Sequence, residues 1–142
     1  PHGGSPQRLR NMAGPVVLVD TSVLIDYFRR KDKGRTLLHK LAEDGCTLKL
    51  SVITEYEVYV GATADQLAYW GQMLEHIEVL PLGSREVRRA ATIQAELKRH
   101  RIQAALPDLF IAATAMEADI PVATLNKKHF EVLHGIRLFP QE

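Results

Sequence analysis

Four oxygen-bearing side chains far apart in the chain, Asp20, Glu57, Asp108 and Asn126, each lie at or just beyond the point where an apolar, strand-like run or a turn gives way to a helical pattern. In open parallel sheets the crevice outside the carboxyl ends of the strands is where ligands gather, so acids at those ends can converge from distant segments. Hard oxygen ligands, with no thiolate set and no paired histidines, suit Mg²⁺ or Mn²⁺ rather than zinc or copper. Three crowded carboxylates repel and raise one another's pKa unless a divalent cation neutralises them. Such an ion, held by one or two carboxylates and water, acts on phosphoryl groups, and the implied substrate is a phosphodiester.

Each residue has a plainer role to set beside that one. Asp20 could be a helix N-cap worth ~1 kcal/mol, but Thr21 and Ser22 could cap equally well and leave it facing the crevice. Glu55 and Glu57 are two apart and point nearly opposite ways on a helix; the reading buries Glu57 and gives Glu55 to solvent. The plainer role for Glu57 is a salt-bridged structural acid. Asp108 precedes Leu-Phe-Ile-Ala-Ala-Thr-Ala-Met, apolar almost all round and hence a buried helix. A first-turn acid gains only ~0.3–1 kcal/mol from the helix dipole, less than burying an unpaired carboxylate costs, so a positive group is expected opposite it. Asn126 alone is a turn residue. Asp26 reads as a supporting or solvated acid, and His129 as a surface histidine, without the second histidine that zinc would want.

The elements that must position these groups follow from hydrophobic periodicity. Val16–Val19 is an uninterrupted apolar run, as expected of a central strand covered on both faces. Further strands are expected at 48–53, 77–80, 122–125 and 136–139. Helices are expected from Ser22, over 36–43, through Glu57, from Asp65 to about Glu75, from an N-cap at Ser84 to about His100, from Pro107 to Ala118, and over 128–133. Strands alternating with helices predict an α/β fold, a central parallel sheet of about five strands with helices on both faces. The helix after Ser84 carries or adjoins Arg85, Arg88, Arg89, Lys98, Arg99 and Arg101.

Composition narrows the classes. The 142 residues suit one domain, and 46% hydrophobic with 25% charged residues argues against disorder. No apolar run approaches the ~20 residues that cross a bilayer, so no membrane span is expected. Net charge of +1 leaves any nucleic-acid binding to local clustering. A lone Cys46 excludes an intramolecular disulfide, and the cytoplasm is the expected compartment. Residues 1–13 read as a leader or flexible arm, and 14–142 as the domain. Neither a P-loop nor a dinucleotide Gly-rich fingerprint is present.

Four segments together resemble one family: Val-Leu-Val-Asp20-Thr-Ser-Val-Leu-Ile-Asp26, Leu-Ser-Val-Ile-Thr-Glu-Tyr-Glu57, Pro-Asp108-Leu-Phe-Ile-Ala-Ala-Thr-Ala, and Val-Ala-Thr-Leu-Asn126-Lys-Lys-His-Phe. Their order and spacing resemble the PIN-domain ribonucleases, and within them the VapC-like toxins of toxin–antitoxin modules and their FitB-like relatives. The resemblance implies a PIN-like domain and a Mg²⁺-dependent endoribonuclease, with Mn²⁺ as a substitute. Its metal-binding and catalytic acids match Asp20, Glu57 and Asp108, and Ser22 would help arrange the first of them. The family's fourth acidic position is Asn126 here, which offers an oxygen without charge and favours one-metal catalysis. Asp20 and Asp108 would hold the ion, Glu57 would orient or deprotonate the attacking water, and cleavage would leave a 5′-phosphate and a 3′-hydroxyl.

Arg29, Arg30, Lys31, Lys127 and Lys128 could track an RNA backbone. The family further implies a homodimer and a VapB-like antitoxin. Leu37, Leu38, Leu41, Tyr56, Tyr59, Tyr69 and Trp70 are candidates for its groove, or for core. The rival reading is a non-catalytic RNA- or partner-binding PIN module in which Asn126 marks a degenerate metal site.

Overall fold

The computed structural model describes residues 14–140, so the expected leader lies outside the described residues. Its centre is β1 (Val16–Val19), in which Val17, Leu18 and Val19 are fully buried. Successive strand residues face opposite sides of a sheet. Leu18 accordingly joins one apolar cluster with Ala90, Ile93, Leu97, Leu109 and Phe130, and Val17 and Val19 join a second with Val23, Leu24, Leu41, Leu50 and Trp70. Helices therefore cover both faces, as an unbroken apolar strand requires.

The elements run β1, α1 (Thr21–Arg29), a 3-10 turn (Lys33–Arg35), α2 (Leu37–Glu43), β2 (Thr47–Ser51), α3 (Val52–Val60), α4 (Ala64–Leu74), β3 (Glu78–Leu80), α5 (Ser84–Arg99), α6 (Leu106–Ala118), β4 (Val122–Ala123), α7 (Lys127–Glu131) and β5 (Leu138–Phe139). The five strands are ordered β3-β2-β1-β4-β5 and every pairing is parallel. Leu18 is in register with Lys49 on one side and Val122 on the other, so β1 is flanked by strands whose carboxyl ends also lead toward functional segments. Among the described residues no helix is long and apolar enough to cross a membrane.

Several boundaries differ from the sequence expectation for local reasons. The fourth strand ends at Ala123 rather than Leu125, because the Leu125 N–H is taken by Ser22 Oγ at 3.0 Å and that of Asn126 by Thr124 Oγ1 at 2.9 Å. The helix expected from Ser22 begins at Thr21, with Asp20 in the N-cap position. Gly83, not Ser84, caps α5: its N–H donates to Glu86 Oε1 at 2.8 Å, so a downstream acid closes that end. The basic stretch after α1 folds back, and Lys33 Nζ donates to the carbonyls of Tyr27, Phe28 and Arg30 at 2.7–3.1 Å. The groove candidates divide: Leu38, Leu41 and Trp70 are core, whereas Tyr56, Tyr59 and Tyr69 are exposed.

Helix α6 is held by packing. Leu109, Ile111, Ala112, Ala113 and Ala115 are buried, and the small side chains let it approach the sheet closely. Phe130 is the one buried residue of α7 and ties that short helix to the same cluster. Phe130→Ala is expected to cost about 3–5 kcal/mol of stability by leaving a cavity, measurable as a lowered midpoint in urea. A loss below about 1 kcal/mol would mean that α7 is anchored by something else.

Candidate active site

The carboxyl end of β1 delivers Asp20, α3 delivers Glu57 in its second turn, the first turn of α6 delivers Asp108, and the β4–α7 junction delivers Asn126. All four line one open cleft of about 450 Å³, together with Thr21, Ser22, Ile25, Asp26 and Arg29. Every residue singled out for the site in the sequence is thus in the lining.

Asp20 occupies the N-cap position of α1, yet its side chain makes no capping bond. Its Oδ2 instead accepts from Ser22 Oγ at 2.8 Å and from Thr124 Oγ1 at 2.7 Å. Each of these hydroxyls in turn accepts a backbone N–H, from Leu125 and Asn126 respectively, which leaves its single proton for the carboxylate. Both bonds go to one oxygen, and Oδ1 accepts none from the described residues. The group is aimed by a brace from the neighbouring strand with one oxygen left over.

Glu57 is aimed in a similar way. Thr21 Oγ1 donates to Glu57 Oε1 at 2.5 Å and lies 3.1 Å from the hydroxyl of buried Thr54. Glu55, expected to meet solvent, is partly buried as Glu57 is. Asp26, on the cleft wall, pairs with Arg30 at 3.1 Å one helical turn on, a typical i,i+4 contact worth a few tenths of a kcal/mol. Asn126 uses its backbone N–H toward Thr124, and its side chain makes no capping bond to α7.

Asp108 shows the electrostatic character of the cleft. Its carboxyl is held above the ordinary value of 3.8, chiefly by desolvation, then by the charge of Asp20, with Glu57 adding to the effect; His129 opposes this and does not cancel it. The group nearest to the expected positive neighbour is this histidine, with Nδ1 3.6 Å from Asp108 Oδ2, a charge partner only when its ring is protonated and, at 63% exposed, weakened by solvent. Asp108 feels both Asp20 and Glu57, and Asp20 keeps one oxygen free of hydrogen bonds, a donor chemistry that suits a hard divalent cation. Among the described residues no group of three acid, histidine or cysteine side chains is placed to hold a metal ion as it stands, so an ion held by Asp20, Asp108 and Glu57 would have to draw them together.

Sequence spacing marks neither Thr124 as a brace for Asp20, nor Thr21 as the partner of Glu57, nor His129 as the neighbour of Asp108. Thr21 adjoins Asp20 at a helix start, where capping is the plain expectation. Thr124 and His129 act across the fold, 104 and 21 residues from the acids they touch, and no local spacing marks them.

The fold and cleft define an α/β domain with a parallel sheet and an open, carboxylate-lined cleft at the carboxyl ends of its strands. The PIN domain model matches residues 17–134, and the chain belongs to the PIN-domain family. It is 32% identical over 123 residues to ribonuclease VapC10 of Mycobacterium tuberculosis, spanning 86% of this chain and 91% of that relative. It is likewise 32% identical over 126 residues to ribonuclease VapC1 of Methanocaldococcus jannaschii, spanning 87% and 86%. Among solved structures it is similar to DNA-bound VapBC from Salmonella typhimurium, with a TM-score of 0.75, 25% identity, and 89% and 97% of the two chains covered. A toxin–antitoxin complex from Klebsiella pneumoniae gives 0.67, 27%, 84% and 94%.

Two measurements check the site's physics. A carboxyl with a raised pKa in the folded state opposes folding once it is charged: its contribution to stability is fully present below the unfolded value and is lost as pH rises through the folded one. In EDTA, Asp108→Asn is therefore expected to melt higher than the wild type at neutral pH, the gap closing toward pH 3.8. A variant that melts lower at pH 7 would show that the acid cluster is not repulsive. Thr124→Val, which keeps the shape and removes the bond to Asp20, is expected to cost about 1–3 kcal/mol in chemical denaturation.

Proposed function

We propose that this protein is a metal-dependent endoribonuclease, the toxin of a VapB–VapC-type pair, using Asp20, Glu57 and Asp108 as catalytic and metal-holding groups and Mg²⁺, or Mn²⁺ in its place, as cofactor. The observation that carries this reading is the convergence of three carboxylates in one open cleft, Asp108 feeling the charge of the other two and those two aimed by hydroxyl braces from other elements. Its PIN-family relatives are named ribonucleases, and PIN-domain VapC ribonucleases are in general metal-dependent.

When bound, the ion supplies Lewis acidity toward a phosphoryl oxygen and toward water. Asp20, whose Oδ2 is held by Ser22 and Thr124, would offer its remaining oxygen to the ion. Asp108, in the first turn of α6, would be the second group to hold it. Glu57, fixed by Thr21 on one oxygen, has the other available to take the proton of the attacking water. In-line attack then leaves a 5′-phosphate and a 3′-hydroxyl. Asn126 contributes an uncharged oxygen at the cleft wall, which favours one-metal catalysis. Arg29 in the lining can meet a substrate phosphate.

The partners that go with this reading are an RNA substrate, a VapB-like antitoxin and a second copy of the chain, acting in the cytoplasm through one catalytic domain over 14–142. Tyr56, Tyr59 and Val60, at i, i+3 and i+4 on α3, are exposed apolar side chains available for protein contacts, as is Leu67 on α4.

Incubation of the purified protein with total RNA is expected to give cleavage that stops in EDTA and returns with Mg²⁺ or Mn²⁺. Asp20→Asn and Asp108→Asn are each expected to slow it about 100-fold or more, near 2.7 kcal/mol of transition-state stabilisation. A wild type that binds RNA and cuts none with either ion would instead establish the non-catalytic binding module.

A further inference from the structure

The nuclease cleft leaves the basic stretch of α5 unused. Six of the eighteen Lys and Arg residues lie between Arg85 and Arg101, with Glu86 and Glu96 as the acids there, so this stretch carries +4 in a chain whose net charge is +1. The charge is segregated.

Its two ends are in different circumstances. Near the start of α5, Arg85 and Arg89 both pair with Glu117, at 3.3 and 2.7 Å, close to the C-terminal end of α6. The two helices therefore pack antiparallel, and Leu97 shares a buried cluster with Leu109. It follows that the end of α5 adjoins the first turn of α6, the turn that carries Asp108. At that end Arg99 and His100 pair with Glu96. The side chains of Lys98 and Arg101 are exposed and take part in no hydrogen bond or ion pair with the described residues.

Arg101 is also conformationally unusual. It closes α5 with φ at +57°, the left-handed conformation that favours glycine, while its N–H donates to Lys98 O at 3.1 Å and that of Ile102 to Leu97 O at 2.9 Å. A charged, β-carbon-bearing residue is disfavoured there, and attraction to the helix dipole fades beyond the last turn. Between it and Asp108 the connection exposes Ile102 and Leu106, apolar side chains against which a base can rest. Two free cations followed by apolar contacts, leading to an active-site acid, match the alternating chemistry of a single nucleic-acid strand.

We propose that Lys98 and Arg101, where the end of α5 meets the start of α6, form a phosphate-binding subsite for the RNA strand flanking the scissile bond. This rests on the nuclease reading for its substrate. The subsite contributes to holding long RNA and not to the chemical step.

Arg101→Gly removes the charge while suiting the left-handed backbone, so the Lys98→Ala/Arg101→Gly double variant is expected to fold as well as the parent. In an Asp20→Asn background, which keeps RNA intact in Mg²⁺, anisotropy with a mixed-sequence single-stranded 20-mer is expected to show about five- to twentyfold weaker binding. The slope of log K against log salt should fall by about 1.4, two phosphate contacts at ~0.7 each. With Asp20 restored, KM for long RNA should rise by a similar factor with kcat unchanged. A Lys40→Ala/Arg88→Ala control, removing equal charge elsewhere, should stay within about twofold of its parent. Unchanged affinity and slope in the Lys98/Arg101 variant, or an equal loss in the control, overturns the subsite. A wild type that cuts no RNA overturns the nuclease reading instead, and the binding slope still decides this one.

Discussion

Like charges have to be kept together in this protein, and much of its architecture answers that constraint. Asp20, Glu57 and Asp108 face one cleft, and the upward push of Asp20 and Glu57 on the Asp108 carboxyl records the repulsion between them. Left to themselves, side chains so placed would rotate apart into water. Asp20 is prevented by two hydroxyls bonded to the same oxygen, and Glu57 by Thr21. The hydroxyls are themselves oriented by backbone N–H groups of Leu125 and Asn126. The repulsion is thus retained in the folded protein, as pre-organisation that a divalent cation can relieve.

The doubly covered sheet is what makes such bracing possible. With β1 buried on both faces, its carboxyl end is a rigid point, and β4 beside it brings Thr124 to hydrogen-bonding distance of Asp20. The fourth strand stops after two residues because the next N–H groups serve these hydroxyls instead of extending the ladder. Shortening of a strand and formation of the site are one event. On the other side, α6 can carry a charged first turn into the cleft because the rest of the helix is buried apolar surface. Its packing stabilises what the carboxylate opposes.

The acids and the sheet were legible in the linear chain. An unalternating Val16–Val19 means burial on both faces whatever the surroundings, and carboxylates after strands of a parallel sheet converge by topology. Element ends were less legible, because side-chain bonds decide them. Gly83 displaced Ser84 as the cap of α5 since Glu86 reached its N–H, and Lys33 folded an apparently open basic stretch onto α1. The aromatic and leucine positions near α2–α4 could not be divided into core and surface, because their spacing suits either fate; Trp70 is buried and its neighbour Tyr69 is exposed.

What the sequence alone determined, then, is the α/β class, the parallel sheet, and the identities of Asp20, Ser22, Glu57, Asp108 and Asn126 as cleft residues, because residue type and local periodicity carry that information. Only the tertiary structure decided how they are held. The bonds from Thr124 to Asp20 and from Thr21 to Glu57, and the approach of His129 to Asp108, each join segments distant in sequence. Such contacts depend on register and helix packing angle, which emerge when both cores close around β1 and leave no trace in the spacing of residues.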